Sequence, residues 1–236
     1  MKISVIIPTL NEVRNIEVLI NHLKVCLKNS EHEIVVSDGG SDDGTVEKAK
    51  KLGVIVLECE RMSRAYQMNQ GANRAKYGLL YFVHADALPP NDFYGDLMKA
   101  VNEGFDLGCF RFRFNSDSIL LAMNAYFTRF DRMVCRGGDQ TLFVKRDVFE
   151  KLKGFKNDFQ IMEDYDFIKR ARVEHRFKII PNIVTVSARK YENNSYLRVN
   201  FANFIVFTLY RIGASQERMI KIYKNLINHP KAETLQ

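Results

Sequence analysis

The sequence predicts an α/β fold, a doubly wound and mainly parallel sheet flanked by helices, with a helical C-terminal extension. Three observations predict it. The first hundred residues alternate short apolar strands with amphipathic helices, the pattern of a parallel sheet. Leu79 to Val83 is an apolar and aromatic run with no polar alternation, as a strand covered on both faces requires. That run leads into His84-Ala85-Asp86, and Pro89-Pro90 then stops regular structure. Ligands of such sheets bind beyond the carboxyl ends of the strands, where Asp86 would stand. A lone carboxylate there either holds a hard divalent cation on a diphosphate or caps the following turn.

Lys2 to Ile7 is expected as the first strand, followed by a turn at Thr9-Leu10-Asn11-Glu12. Asn15 to Leu27 has apolar residues at helical spacing. Glu33 to Ser37 is a second strand, again ending in a carboxylate, Asp38. Such a carboxylate can accept the imide N–H of a pyrimidine such as uracil. The turn Gly39 to Thr45 lacks both a P-loop ending and G-x-G-x-x-G, and reads as a tight turn into a helix through Lys51. Val54 to Leu57 is a third strand. A helix through Ala75 follows Arg61 and Arg64, which make either a diphosphate clamp or surface charges.

Beyond Asp86, Asn91 to Asn102 is expected to be helical and Leu107 to Phe114 a strand with Arg111 and Arg113 alternating outward. Ser118 to Met133 carries apolar residues at helical spacing and reads as a core-facing helix. Arg136-Gly137-Gly138-Asp139-Gln140 interrupts the chain before a strand over Thr141 to Val144, and Asp147 starts a short helix. Glu163, Asp164 and Asp166 crowd the start of a helix running to Val173. They are first-turn acids favoured by the helix dipole, and one of them is a general-base candidate. Lys178 to Ser187 reads as two strands broken at Pro181. Phe201 to Ile212 is apolar. In Gln216 to Ile227, the face formed by Met219, Ile220, Tyr223 and Ile227 packs on a neighbour or meets lipid, with Lys221 and Lys224 near anionic headgroups.

Length and composition (236 residues, 46% hydrophobic, 27% charged) suit one globular domain. Cys26, Cys59, Cys109 and Cys135 lack metal-ligand or redox spacing, which points to a reducing, cytoplasmic setting. The start of the chain does not read as a signal peptide, and no apolar run is long enough to span a membrane. The net charge of +7 is uneven: from Ile168 onward there are 13 Lys and Arg against 4 Asp and Glu. That favours an anionic partner or a solvated basic face. Nucleic acid is not expected, since no recognition motif with interleaved aromatics is present.

The joint order of Ser4-Val5-Ile6-Ile7-Pro8-Thr9-Leu10-Asn11-Glu12, Asp38-Gly39-Gly40-Ser41, Asp86 and Glu163-Asp164 resembles the family-two glycosyltransferases of GT-A fold. Arg64-Ala65-x-Gln67-Met68-Asn69, His84-Ala85-Asp86, Gly138-Asp139-Gln140, Met162-Glu163-Asp164 and Ser187-Ala188-Arg189-Lys190 are similar to a bacterial subgroup of them. The resemblance covers nearly the whole chain. It implies a metal-dependent, inverting transfer of a sugar from a nucleotide diphosphate, with a UDP-sugar favoured, to an acceptor hydroxyl on a lipid-linked or small molecule. It implies that Asp86 holds Mg²⁺ or Mn²⁺, that Asp38 reads the base, and that Pro8, Glu12, Arg64, His84 and Ala85 line the nucleotide site. It puts the base at Asp164, with Glu163 the neighbouring candidate. The usual D-x-D departs here, since His84 stands at its first position. Residues 1–114 would form the nucleotide-binding half, 115–190 the acceptor and catalytic half, and 191–236 the helical extension, with peripheral membrane contact one reading of its basic helices. A nucleotidyltransferase of similar fold is disfavoured because a basic Gly-rich loop is missing after the first strand. A non-catalytic nucleotide-sugar binder or scaffold is disfavoured by the intact Asp38, Asp86 and Asp164.

Overall fold

The computed structural model describes residues 1–136 and 140–228. An eight-stranded sheet forms its centre, flanked by helices on both faces. In chain order the elements are β1 (Ile3–Thr9), α1 (Ile16–Cys26), β2 (His32–Asp38), α2 (Thr45–Lys51), β3 (Ile55–Glu58), α3 (Arg64–Arg74), β4 (Leu79–Phe82), β5 (Ala87–Leu88) and α4 (Phe93–Asn102). They continue with β6 (Leu107–Phe114), α5 (Ile119–Tyr126), β7 (Leu142–Lys145), α6 (Arg146–Lys151), α7 (Glu163–Ala171), β8 (Phe177–Val186), α8 (Tyr196–Arg211) and α9 (Gln216–Leu226).

The strand order is β3-β2-β1-β4-β7-β6-β8-β5. The first four strands are mutually parallel, β7 enters antiparallel to both β4 and β6, and β8 runs parallel to β6. The apolar run of β4 follows from its place in the middle. Leu79 and Tyr81 pack toward α1 and α4, while Leu80 and Phe82 pack toward α3, α6 and α7. Both faces are covered, so neither needs polar residues.

Pro8 lies within the central strand β1, where a missing N–H would normally cost a ladder bond. Ile6 and Pro8 point to the β4 side, and β4 leaves β1 after the Ile6–Phe82 pair. The sheet therefore splits at the position where the proline has nothing to donate, and the gap opens between the carboxyl ends of β1 and β4.

Two expectations are corrected. Pro181 does not divide β8 into two strands. The strand continues as one, and the register against β6 slips between Phe110 and Arg111, so that Pro181 and Asn182 form a bulge. The segment 118–133 is not one core-facing helix. It is α5 followed by single 3₁₀ turns at Phe127–Arg129 and Met133–Cys135, and within α5 only Leu121 is buried. The face of α9 settles on packing rather than lipid: Met219, Ile220 and Ile227 are buried in the contact with α8 and its surroundings. Among the described residues, no helix is long and apolar enough to cross a membrane.

Candidate active site

The site begins with two loops at the carboxyl end of the sheet. Asn11 takes a left-handed conformation (φ 53°), which Asn tolerates better than most residues. Its side-chain oxygen accepts from the Asp42 N–H (3.0 Å), and its own N–H donates to Ser41 Oγ (2.8 Å). These bonds tie the β1 loop to the β2 loop. Gln67, buried on α3, donates its amide to the carbonyls of Thr9 (2.6 Å) and Ser37 (2.9 Å). One side chain thus fixes α3 against the ends of both strands.

Asp38 lies beneath this floor and is 1% exposed. Its carboxylate accepts from the N–H groups of Gly40 (2.9 Å) and Ser41 (2.7 Å) and from the hydroxyls of Thr9 (3.0 Å) and Ser41 (2.5 Å). Asp38 shapes the loop and is not among the residues lining the cavity above it.

That cavity, of about 180 Å³, is lined by Pro8, Thr9, Glu12, Arg64, His84, Ala85, Asp86 and Arg189, among others. Glu12 is 3% exposed, and the Asn15 amide donates to it at 2.7 Å. Arg189 follows β8 and reaches across the gap. Its guanidinium donates through both terminal nitrogens to the Glu12 carboxylate, with Nη1 at 2.9 Å from Oε2, and Nη2 lies 3.0 Å from Asp86 Oδ2. Burial alone would ease its proton off, but the two carboxylates outweigh that and raise its pKa above the ordinary value. In the sequence, Arg189 stands within Ser187-Ala188-Arg189-Lys190 with no role of its own implied. A basic residue directly after a strand was the available signal. Its partner in β1's loop, 177 residues away, left none.

A second cavity of about 500 Å³ adjoins the first, and Arg64, Phe114, Ile161, Lys190, Tyr191 and Tyr223 line both. Asp164 lines the second. Met162 has φ 64° at the N-cap of α7, so Glu163 and Asp164 begin the helix where backbone N–H groups are open. The two acids then diverge. Glu163 is 1% exposed, binds Arg64 Nε at 2.9 Å and is not among the lining residues of either cavity. Asp166 is also structural, held by Lys156 (2.9 Å) and Arg170 (2.7 Å). Of the other sequence candidates, Arg61 lies over the Tyr66 ring rather than in the cavity wall. Gly138 and Asp139 fall outside the described residues.

Residues 4–163 match the model of Glycosyl transferase family 2. The chain belongs to this family. The family-2 chain is 28% identical over 184 residues to glycosyltransferase AglE of Haloferax volcanii, covering 72% of this chain and 60% of AglE. In three of the curated relatives it matches, the alignments span 31% to 60% of the relative's length. Solved structures share its fold, among them the following two. S. aureus TarS 1–349 in complex with UDP-GlcNAc has a TM-score of 0.65 at 18% identity, covering 96% of this chain and 71% of TarS. The mannosyltransferase PcManGT from Pyrobaculum calidifontis, in complex with GDP-Man and Mn²⁺, has a TM-score of 0.67 at 20% identity, covering 98% and 68%.

Proposed function

We propose that this chain is an inverting glycosyltransferase that moves a sugar from a nucleotide-diphosphate sugar to an acceptor hydroxyl. The observation that carries the reading is the pair of adjoining cavities at the carboxyl edge of the sheet. One holds Asp86 and Arg189, the other holds Asp164, and Arg64 lies in the wall of both. The similar structures were solved with donors of this class, UDP-GlcNAc in one and GDP-Man with Mn²⁺ in the other.

In this reading the first cavity takes the nucleotide diphosphate. Pro8, Glu12, His84 and Ala85 line it, and Arg189 and Arg64 meet the diphosphate oxygens. Asp86 would hold Mn²⁺ or Mg²⁺. Among the described residues, no group of three or more His, Cys, Asp or Glu could hold a metal ion. A single carboxylate beside a diphosphate suits an ion that takes its remaining oxygens from substrate and water. The Arg189 guanidinium 3.0 Å from Asp86 supports reading this position as one that takes positive charge. A bound ion would neutralise charge on the departing diphosphate. Asp38 frames the loop beneath the base, and a direct bond to a uracil imide requires one of its four donors to give way.

Asp164 takes the proton of the acceptor hydroxyl, on the face opposite the leaving group. Glu163 positions Arg64. The test is a screen of UDP- and GDP-sugars with Mn²⁺, scoring hydrolysis and transfer, with UDP compared against CDP for base preference. Turnover of at least one donor is expected. Tight nucleotide binding without turnover of any donor would favour a nucleotide-sugar binding protein instead.

A further inference from the structure

Helix α8 is apolar on two sides. Val199, Ala202, Val206 and Leu209 are buried, three or four residues apart. Leu197, Phe201 and Phe204 share another face and are 57% to 76% exposed. Across the second cavity stands the α5 segment, where Asn124 approaches Asn200 of α8 at 3.4 Å. There Ile119, Leu120, Met123, Tyr126, Phe127, Phe130 and Val134 are all exposed. Among the described residues, every large aromatic exposed in this way lies on these two segments. Contiguous apolar faces of this kind mark interaction surfaces.

Two features say what covers this one. Phe127, Val134 and Phe204 belong both to the exposed face and to the lining of the Asp164 cavity, so the cavity opens within the face. A second protein copy seated there would obstruct the opening. Arginines also border the face. Arg129 lies 3.6 Å over the Tyr126 ring, and Arg132, Arg198 and Arg211 are exposed. Of the acids on the same stretches, Asp131 is held by both terminal nitrogens of Arg172. Aromatic side chains with arginines at their edge suit the boundary between acyl chains and anionic headgroups.

We propose that the α5–α8 face docks on a lipid bilayer and presents the mouth of the Asp164 cavity to the membrane surface. The proposal rests on the glycosyltransferase reading only in calling that cavity the acceptor's, and it makes the acceptor a membrane-borne one.

The chain has no tryptophan, so a single introduced indole reports its own surroundings. Phe204→Trp and, as a control outside the face, Val25→Trp are mixed with vesicles of phosphatidylcholine and phosphatidylglycerol, with and without brominated acyl chains. Brominated lipid should quench Phe204→Trp and leave Val25→Trp unchanged. The wild-type chain should sediment with these vesicles, and Phe201→Ser combined with Phe204→Ser should weaken that binding at least tenfold. UDP or GDP binding in the presence of Mn²⁺ is measured on the same variants, and its retention shows that they fold. Failure of the wild-type chain to bind vesicles, or equal quenching at both positions, overturns the proposal. So does a concentration-dependent dimer abolished by the same double substitution, because the face then belongs to a second copy. Vesicle binding needs no donor, so its loss is distinct from a failed donor screen.

Discussion

Arg189 holds two carboxylates from opposite sides of the gap, and its guanidinium lies 3.0 Å from Asp86, where the proposed metal ion would bind. Removing the guanidinium should therefore ease entry of a metal ion and impair handling of the diphosphate. Arg189→Ala is expected to bind Mn²⁺ about tenfold more tightly without nucleotide, which corresponds to about 1.4 kcal/mol. Electron paramagnetic resonance titration of free Mn²⁺ checks this, and donor turnover should fall in the same variant. Asp86→Ala should lose metal-dependent binding of nucleoside diphosphates while its melting curve holds, as calorimetry with and without Mn²⁺ would show. Asp164→Asn keeps shape and removes basicity, so transfer should fall by roughly two to four orders of magnitude with nucleotide affinity little changed. Glu163→Gln weakens the hold on Arg64 and should raise KM for the donor more than it lowers kcat. The converse split between these two variants would move the base by one residue. The place of Asp86 in the cavity wall at the carboxyl edge was legible because it follows the apolar run of β4. Arg189's role was not, because proximity across 177 residues leaves no periodicity.

At the scale of elements, α3 sits closer to the sheet than a side chain allows. A Cβ on Gly71 would stand 2.5 Å from Ile6 Cγ2 and 2.7 Å from Ser37 Oγ. Gly71→Ala must push α3 outward, a cost of about 1–3 kcal/mol for overpacking. The urea midpoint should drop, and nucleotide affinity with it, since Gln67 on the same helix fixes the ends of β1 and β2. Elements with one polar and one apolar side were readable from spacing alone, α1 and α9 among them. The α5 segment misled because spacing reports that a helix has an apolar face, not what covers it. Pro181 misled differently: a real interruption was present, but a bulge absorbs it within one strand.

For the molecule as a whole, the opening β-α-β-α-β pattern was legible because each crossover is local. The antiparallel entry of β7 between β4 and β6 was not, since nothing in a four-residue strand states its neighbour. Asp106 helps hold this distal part together. It binds Lys145 of β7 at 2.8 Å, lies 3.5 Å from His175 and accepts the Arg176 N–H at 3.2 Å. Burial opposes its charge, but Lys145 and the Arg176 N–H outweigh that and hold its pKa below the ordinary 3.8. A depressed folded-state pKa gives stability that is present at neutral pH and fades as pH falls through that lowered value. Urea melts between pH 6 and pH 3 should show a shallower acid loss for Asp106→Asn than for the wild-type chain.

The position of β8 has a kinetic consequence. It is the last strand in chain order, yet it lies between β6 and the two-residue β5 rather than at an edge. Leu88 must wait for Thr185, and Asp86 for Arg189, across about a hundred residues of intervening chain. Such long-range closures slow folding. A refolding chain should therefore recover the helical signal first and the ability to bind nucleotide only in its slowest phase, when β8 fills the place left open for it. Stopped-flow ellipticity read against the fluorescence of a labelled nucleotide would separate the two.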